Sequence, residues 1–225
     1  STPCGTLFPY TTLFRSELMR PREKQLNSKK RNILSKVFAA LSYDLGVLAP
    51  EEGKLFSRPD ALPEWLAVGE DPKTAVLTVM DRSIGVIALP HFGGGQDWDR
   101  FIQDLQPKIS SLRMQSDLLI GVSSWGFNLE NHFLTGPDSG LDILLGSGPG
   151  PAFRGKLMNH NHTLWIRPYS RGRALNTITI PNFKATSWLI AGWKLNSSIT
   201  TGIAMIRGNM PEDPAVSAII NGKDN

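Results

Sequence analysis

Apolar residues recur along the chain at two spacings, and these spacings predict most of its secondary structure. A spacing of three or four residues marks one face of an amphipathic helix. It predicts helices over residues 23–41, 97–114, 126–134 and 213–221. Pro107 lies inside the second of these and is expected to kink or divide it, because proline lacks the backbone N–H that a helix interior uses.

Short apolar runs between the helices predict strands. They cover residues 44–48, 74–80, 84–89, 117–123 and 141–145. The run over 117–123 is apolar almost throughout, which is typical of a strand covered on both faces. Asp81-Arg-Ser83 joins the second and third strands in the pattern of a hairpin. The segment 57–72 is rich in proline and acidic residues and is predicted to be a surface excursion.

The last third of the chain has a different pattern, which predicts two antiparallel hairpins. One joins 163–169 to 173–180, and the other joins 188–195 to 199–207 around Asn196-Ser-Ser198. Helices therefore alternate with buried strands first, and hairpins follow. This order predicts an α/β fold in which two sheets pack face to face with helices outside, a four-layer αββα sandwich.

The first 16 residues are set apart from this fold. Residues 6–16 match the translation of a common short-read sequencing adapter, so we interpret residues 1–16 as an artefactual or disordered segment and 17–225 as one domain. The natural N-terminus, with any signal peptide, is then expected to be missing. Cys4 is the only cysteine and lies in the excluded segment, so the rest of the chain offers no disulfide or thiol chemistry.

The net charge of +4 comes from one part of the chain. Residues 17–40 hold seven Lys and Arg, whereas residues from 41 onward hold 16 basic and 18 acidic residues. The excess of basic residues therefore lies on and just before one predicted helix. The rest of the sequence shows no cluster of basic residues with aromatic residues, so we expect no nucleic-acid partner. No apolar run reaches the roughly 18 residues of a membrane span, and no transmembrane segment is predicted.

Three motifs carry a resemblance to a known family. They are Leu41-Ser-Tyr-Asp44, Ile120-Gly-Val-Ser-Ser-Trp-Gly126 and Leu141-Asp-Ile-Leu-Leu-Gly146. In order and spacing they resemble the 5′-nucleotidase and UDP-sugar hydrolase-like branch of the calcineurin-like metallophosphoesterases, over roughly residues 24–222. The resemblance implies the sandwich fold and a periplasmic or cell-envelope location. It also implies a C-terminal substrate-binding domain, which we expect to be missing after Asn225.

The resemblance also implies a two-metal centre, whose divalent ions would clamp a phosphoryl group and activate a water. The family's metal-binding asparagine corresponds to Pro50 and its catalytic histidine to Glu51. A third ligand, a histidine, corresponds to Ser124, and the last two histidines correspond to Gly148 and Gly150. None of these five is the family's ligand. We therefore assign no catalytic residue, no metal ligand and no cofactor.

The loop Gly146-Ser-Gly-Pro-Gly150 is the strongest remaining candidate site. Glycine-rich turns after buried strands can expose backbone N–H groups to an anion, and Ser124 and Ser147 could add hydroxyls at the same end of the sheet. A purely structural loop is the favoured interpretation, and a site for a small anionic ligand is the alternative. Pro50, Ser124 and Gly148 are expected to lie close together, with Trp125 filling the vacated ligand space.

The histidines offer weaker candidates. His160-Asn-His162 is interpreted as an exposed polar loop; the alternative is an extended segment with both rings on one side, but two ligands are too few for an ordinary metal site. His91 precedes three glycines and could contact a phosphate, although a flexible surface loop is the favoured explanation. His132 falls in a predicted helix and is expected at the surface.

Three functions follow from these observations. The first is a degenerate metallophosphoesterase-like domain that acts in binding or structure. The second is an active hydrolase of a nucleotide, sugar nucleotide or sulfur ester, working through residues not recognised in the sequence. The third is thiol or redox chemistry in the missing N-terminal segment, since some divergent relatives of the family carry a Cys-Gly-Cys-like motif there.

Overall fold

The structure is a computed structural model that describes most of the chain after residue 27. The described ranges are 28–40, 46–48, 66–68, 71–79, 81–136, 139–169, 174–183, 187–206 and 211–222. The helices in them are α1 (Ser28–Ala40), α2 (Trp98–Arg113), α3 (Phe127–Thr135), α4 (Ser187–Ala191) and α5 (Pro214–Ile220). The strands are β1 (Gly46–Leu48), β2 (Leu66–Val68), β3 (Lys73–Val79), β4 (Arg82–Ala88), β5 (Leu118–Val122), β6 (Ile143–Leu145), β7 (Phe153–Met158), β8 (Thr163–Arg167), β9 (Ala174–Thr179) and β10 (Thr200–Met205).

A six-stranded sheet in the order β3-β4-β5-β6-β8-β7 is the centre of the fold. Strands β4, β5, β6 and β8 are parallel, and the edge strands β3 and β7 are antiparallel to their neighbours. The predicted hairpin between β3 and β4 is confirmed, with Val79 opposite Arg82 and Asp81 at a φ of 63° in the turn. The four parallel strands place their carboxyl ends at one edge of the sheet.

Both faces of this sheet are covered. Buried residues of α2 and α3, such as Ile109 and Phe133, pack on one face with Leu144. On the other face, residues from β1 and β2 and the chain after β9 pack against the sheet, and they include Val47 and Trp188. Burial on both faces explains why the parallel strands are apolar almost throughout.

The second face carries two small sheets, a parallel pair β1–β2 and an antiparallel pair β9–β10. The predicted class is confirmed: this is a mixed α/β fold with sheets packed face to face, outer helices and an antiparallel hairpin late in the chain. One expectation for the first half is wrong, because Leu66–Val68 is a strand, with Ala67 buried beside β1, and not part of a surface excursion.

Helix α2 runs through Pro107 as one helix, so the prediction that Pro107 divides it is wrong, and a kink at Pro107 stays a prediction. Its first turn is capped by Asp97, whose carboxylate accepts from the Arg100 N–H at 2.8 Å. Pro107 is exposed, so water can satisfy the carbonyl that loses its helical partner. Burial of Leu105, Ile109 and Leu112 on the opposite face holds the helix to the sheet.

The predicted pairing in the last third is wrong. Strand β8 pairs with β6 and β7, whereas β9 pairs with β10, so 163–169 and 173–180 do not form a hairpin with each other. Residues 187–191 form helix α4 and not a strand. Strand β7 was not predicted, because alternating Arg154 and Lys156 on the sheet edge make it look polar.

The predictions for residues 1–16, Pro50 and Glu51 fall outside the described ranges. Across the part of the chain that is described, no helix is both long and apolar enough to span a bilayer.

Candidate functional site

The candidate loops lie together at the carboxyl edge of the parallel strands. The strand ladder continues one residue past each strand: Leu89 N–H donates to Val122 O at 2.8 Å, Ser123 N–H to Leu145 O at 2.9 Å, and Gly146 N–H to Ile166 O at 2.8 Å. The loops after β5 and β6 also touch, since Phe127 N–H donates to Pro149 O at 2.8 Å. The structure thus brings two of the three predicted loops together. Pro50, in the third, lies outside the described residues.

Ser124 and Trp125 face different surroundings in the loop after β5. Ser124 is 8% exposed, and its hydroxyl has no hydrogen-bond partner among the described residues. Trp125 packs under the helices: its Nε1 donates to Pro90 O at 2.6 Å, and its ring contacts Trp98 and Phe133 edge to face. Packing therefore accounts for Trp125, and whether it also fills a vacated ligand space stays a prediction.

Two glycines of the loop after β6 are required by close contacts. A Cβ at Gly146 would lie 2.0 Å from Oε2 of Glu130, closer than any real contact. Gly150 has a φ of +122°, and a Cβ there would lie 2.3 Å from Cβ of Phe127. Helix α3, which packs directly against the loop, therefore explains Gly146 and Gly150.

A buried carboxylate occupies the inner side of this loop. Glu130 of α3 is fully buried and accepts from Ser147 N–H at 3.0 Å and from Trp165 Nε1 at 2.9 Å. It also forms an ion pair with Arg167. Burial raises the pKa of Glu130, and the guanidinium and hydrogen bonds of Arg167 act in the opposite direction. The backbone N–H of Ser147 thus already donates to a carboxylate of the protein itself, that of Glu130.

Arg167, at the end of β8, uses every donor of its side chain. Its Nη1 contacts Glu130 and donates to Ser147 O at 3.1 Å. Its Nη2 donates to Gly148 O at 2.9 Å and to Pro149 O at 3.0 Å, and its Nε donates to Pro151 O at 3.0 Å. All five N–H groups of the guanidinium therefore have partners. The carbonyl oxygens of the loop converge on an internal cation.

Glu130 and Arg167 were not recognised as site residues in the sequence, although one signal was present. On α3, Glu130 shares the buried face with Phe133 and Leu134, so a charged residue occupies an apolar position of the helix. Arg167 ends a strand whose five residues are all buried. Charged residues are almost never fully buried without a partner, so each position predicts one.

The histidines lie in the β7–β8 turn, in helix α3 and in the loop after β4. His160 is exposed in that turn with a φ of 51°, between Asn159 and Asn161, which also have positive φ. The predicted exposed polar loop is therefore confirmed, and the alternative of an extended segment with both rings on one side is wrong. His132 is exposed on α3 as predicted, and its ring contacts Trp98. His91 lies in the loop after β4, and its Nδ1 is buried without a partner among the described residues.

The described residues do not supply the donor set of a two-metal centre. Within the described ranges, no three His, Cys, Asp or Glu side chains are grouped so that they could hold a metal ion. At the positions that the resemblance assigns to ligands, the chain has a serine hydroxyl at 124 and glycines at 148 and 150, which have no side-chain donor. We therefore derive no chemical step through a metal.

Comparison with known proteins gives one informative similarity. No protein-family model and no curated protein matches the chain. Among solved structures, the fold is similar to a 5′-nucleotidase precursor from Thermus thermophilus, with a TM-score of 0.60 and 13% sequence identity over 87% of this chain. A hypothetical protein from the same organism has a TM-score of 0.49 at 11% identity, covers 81% of this chain and 82% of its own, and supports no argument.

The similarity defines the fold and not the activity. The chain has an α/β fold similar to that of the 5′-nucleotidase precursor. It covers 45% of the 5′-nucleotidase precursor, which is less than half of that protein.

Proposed function

We propose that this chain is a metallophosphoesterase-like domain that acts in binding or structure and not in two-metal hydrolysis. The observation that supports the proposal is the Glu130–Arg167 pair. The loop that the resemblance assigns to the last two metal-binding histidines is instead bonded to a guanidinium through its carbonyl oxygens. A loop fixed by an internal cation has no need of a metal ion to hold its shape.

The proposed ligand is a small anion at the carboxyl edge of the sheet. Ser124 supports this, because its buried hydroxyl has no partner among the described residues and can donate to a ligand oxygen. The proposed binding loops are Pro50–Glu51, Ser124–Trp125 and the residues Gly146, Ser147, Gly148 and Gly150. A periplasmic or cell-envelope location, and the absence of a nucleic-acid partner, are part of the same proposal.

A second candidate is a hydrolase of a nucleotide, sugar nucleotide or sulfur ester. The similarity in fold to a 5′-nucleotidase precursor favours it. It requires a catalytic group that the described residues do not provide at the carboxyl edge. Thiol or redox chemistry would depend on residues that lie outside the described ranges.

Hydrolysis assays separate the two candidates. We expect the purified chain, supplied with Mn²⁺, Zn²⁺ or Ca²⁺, to hydrolyse bis(p-nitrophenyl) phosphate and AMP no faster than a sample treated with EDTA. Metal-dependent turnover that persists in the double variant His160→Ala/His162→Ala would contradict the proposal and support the hydrolase. In thermal denaturation, phosphate or AMP should raise Tm in the wild type and less in Ser124→Ala. Ser110→Ala, an exposed helical position, is the matched control.

A further inference from the structure

Five oxygen groups surround the Arg167 guanidinium. They are the carboxylate of Glu130 and the carbonyl oxygens of Ser147, Gly148, Pro149 and Pro151. We call this set the oxygen cage. We propose that the oxygen cage is a cation site selective for a guanidinium group, with Arg167 as its built-in occupant. The inference goes beyond the proposed function and would stand even if the chain were a hydrolase.

The sequence of the loop supports a site built from acceptors. Pro149 and Pro151 have carbonyl oxygens but no backbone N–H, so they add acceptors without adding donors that would need partners of their own. Gly148 and Gly150 have φ values of +83° and +122°, which L side chains rarely adopt. The alternation of glycine and proline from 148 to 151 thus produces a tight loop with an excess of acceptor oxygens.

The geometry suits a guanidinium better than an ammonium group. A guanidinium has five N–H donors in one plane, and in Arg167 all five are used. A lysine ammonium has three donors and would leave two oxygens of the cage unpaired. Only 3% of the Arg167 side chain is exposed, so water cannot supply the missing bonds.

Arg113 provides the matched contrast. It pairs with Asp142 and donates to one backbone carbonyl, Ser116 O, at 2.8 Å, and its side chain is 28% exposed. Water can enter after its removal. A free guanidinium would therefore gain little by binding where Arg113 had been.

Chemical rescue tests the proposal. Arg167→Ala should lower Tm, and methylguanidinium chloride at concentrations too low to denature should raise it again, by about 3 °C or more as the emptied cage is filled. Sodium chloride at equal ionic strength should not do so, and neither should CaCl₂. Arg113→Ala and the wild type should show no rise with methylguanidinium. Equal rescue of both variants, rescue by salt alone, or stronger rescue by Ca²⁺ would overturn the proposal.

A second variant keeps the test decisive if Arg167→Ala does not fold. Arg167→Lys keeps the charge but has too few donors, so exchange of the amide hydrogens of Ser147, Gly148 and Gly150 should be faster than in the wild type. Arg113→Lys should leave exchange in that loop unchanged. An exchange rate in Arg167→Lys equal to that of the wild type would contradict the inference, because it would mean that any buried cation stabilises the loop equally well.

Discussion

One buried carboxylate lies at each end of the short strand β6, and the two carboxylates pair with arginines that differ in their exposure. Asp142 precedes β6 and accepts from Leu119 N–H at 2.7 Å and from Arg113. Glu130 contacts the residues that follow β6 and pairs with Arg167. Burial raises the pKa of both carboxyls, and in both cases an arginine opposes the shift.

The partners differ in their access to water. Arg113 is 28% exposed, whereas Arg167 is 3% exposed and has no donor left. At the amino end the ion pair links the last residue of helix α2 to the residue that precedes β6. At the carboxyl end, where α/β proteins commonly bind ligands, the pair closes the loop from within. In this chain, an ion pair between two of its own side chains, Glu130 and Arg167, lies at that edge.

The largest expected effect is from removing the carboxylate at each end. Glu130→Ala should lower the free energy of unfolding by about 3–5 kcal/mol, because Arg167 is left as a buried charge without a counter-ion. Asp142→Ala should cost about 1–3 kcal/mol, because Arg113 can be hydrated and mainly the hydrogen bond of Leu119 is lost. Urea denaturation of both variants measures the difference. Equal losses would show that exposure of the arginine does not decide the cost.

A smaller difference in the free energy of unfolding should distinguish two buried tryptophans, whose acceptors lie near opposite ends of β6. Trp165 Nε1 donates to the charged Glu130 at 2.9 Å, and Trp193 Nε1 donates to the neutral backbone carbonyl of Asp142 at 3.0 Å. Substitution by phenylalanine shortens both rings similarly, so their difference reports on the acceptor. Trp165→Phe should cost about 1 kcal/mol more than Trp193→Phe, since hydrogen bonds to charged groups are stronger. A larger cost for Trp193→Phe in urea denaturation would argue against an ionised Glu130.

The smallest effect concerns Asp117, a carboxylate near the surface just before β5. It accepts from Ser83 N–H and from Arg82, both at 2.8 Å, and these bonds hold its pKa below the usual value of 3.8. A lowered pKa means that its stabilisation is present above pH 3.8 and is lost as the pH falls through the folded-state value.

Asp117→Asn should therefore remove part of the acid dependence of unfolding and cost about 0.2–1 kcal/mol at neutral pH. Urea denaturation across the acidic range measures both. An unchanged slope against pH would mean that Asp117 has the same pKa in the folded and unfolded chain.

Much of the fold could be predicted from local pattern. The spacing of apolar residues predicts four of the helices and five of the strands, because the buried positions of a helix or strand recur at a regular interval. These elements are the helices at 28–40, 98–113, 127–135 and 214–220 and the strands β1 and β3 to β6. The β7–β8 hairpin could not be found in this way. Its turn is formed by Asn159, His160 and Asn161 in left-handed conformations, and its edge strand exposes charged residues.

The pairing of strands and the identity of the candidate site could not be obtained from local pattern. Strand β8 lies beside β6 and not beside β9, and only this placement brings Arg167 to the loop after β6. The sequence indicated that glycines follow β6, but it did not indicate that their carbonyl oxygens bond to a cation. The cation is Arg167, which lies 16 to 20 residues from those carbonyls and 37 residues from Glu130 in the sequence.

The sequence by itself thus determined the α/β class, the amphipathic helices, the buried strands and the residue types at Ser124, Gly148 and Gly150. Tertiary structure alone decided which groups surround the loop after β6. The physical reason is that a helix or a turn depends on neighbours in the chain, whereas a buried charge is stable only when distant groups supply its counter-charge and its hydrogen bonds. That requirement is met only once β6, β8 and α3 are packed together, which brings Glu130 and the carbonyls of Ser147, Gly148, Pro149 and Pro151 to Arg167.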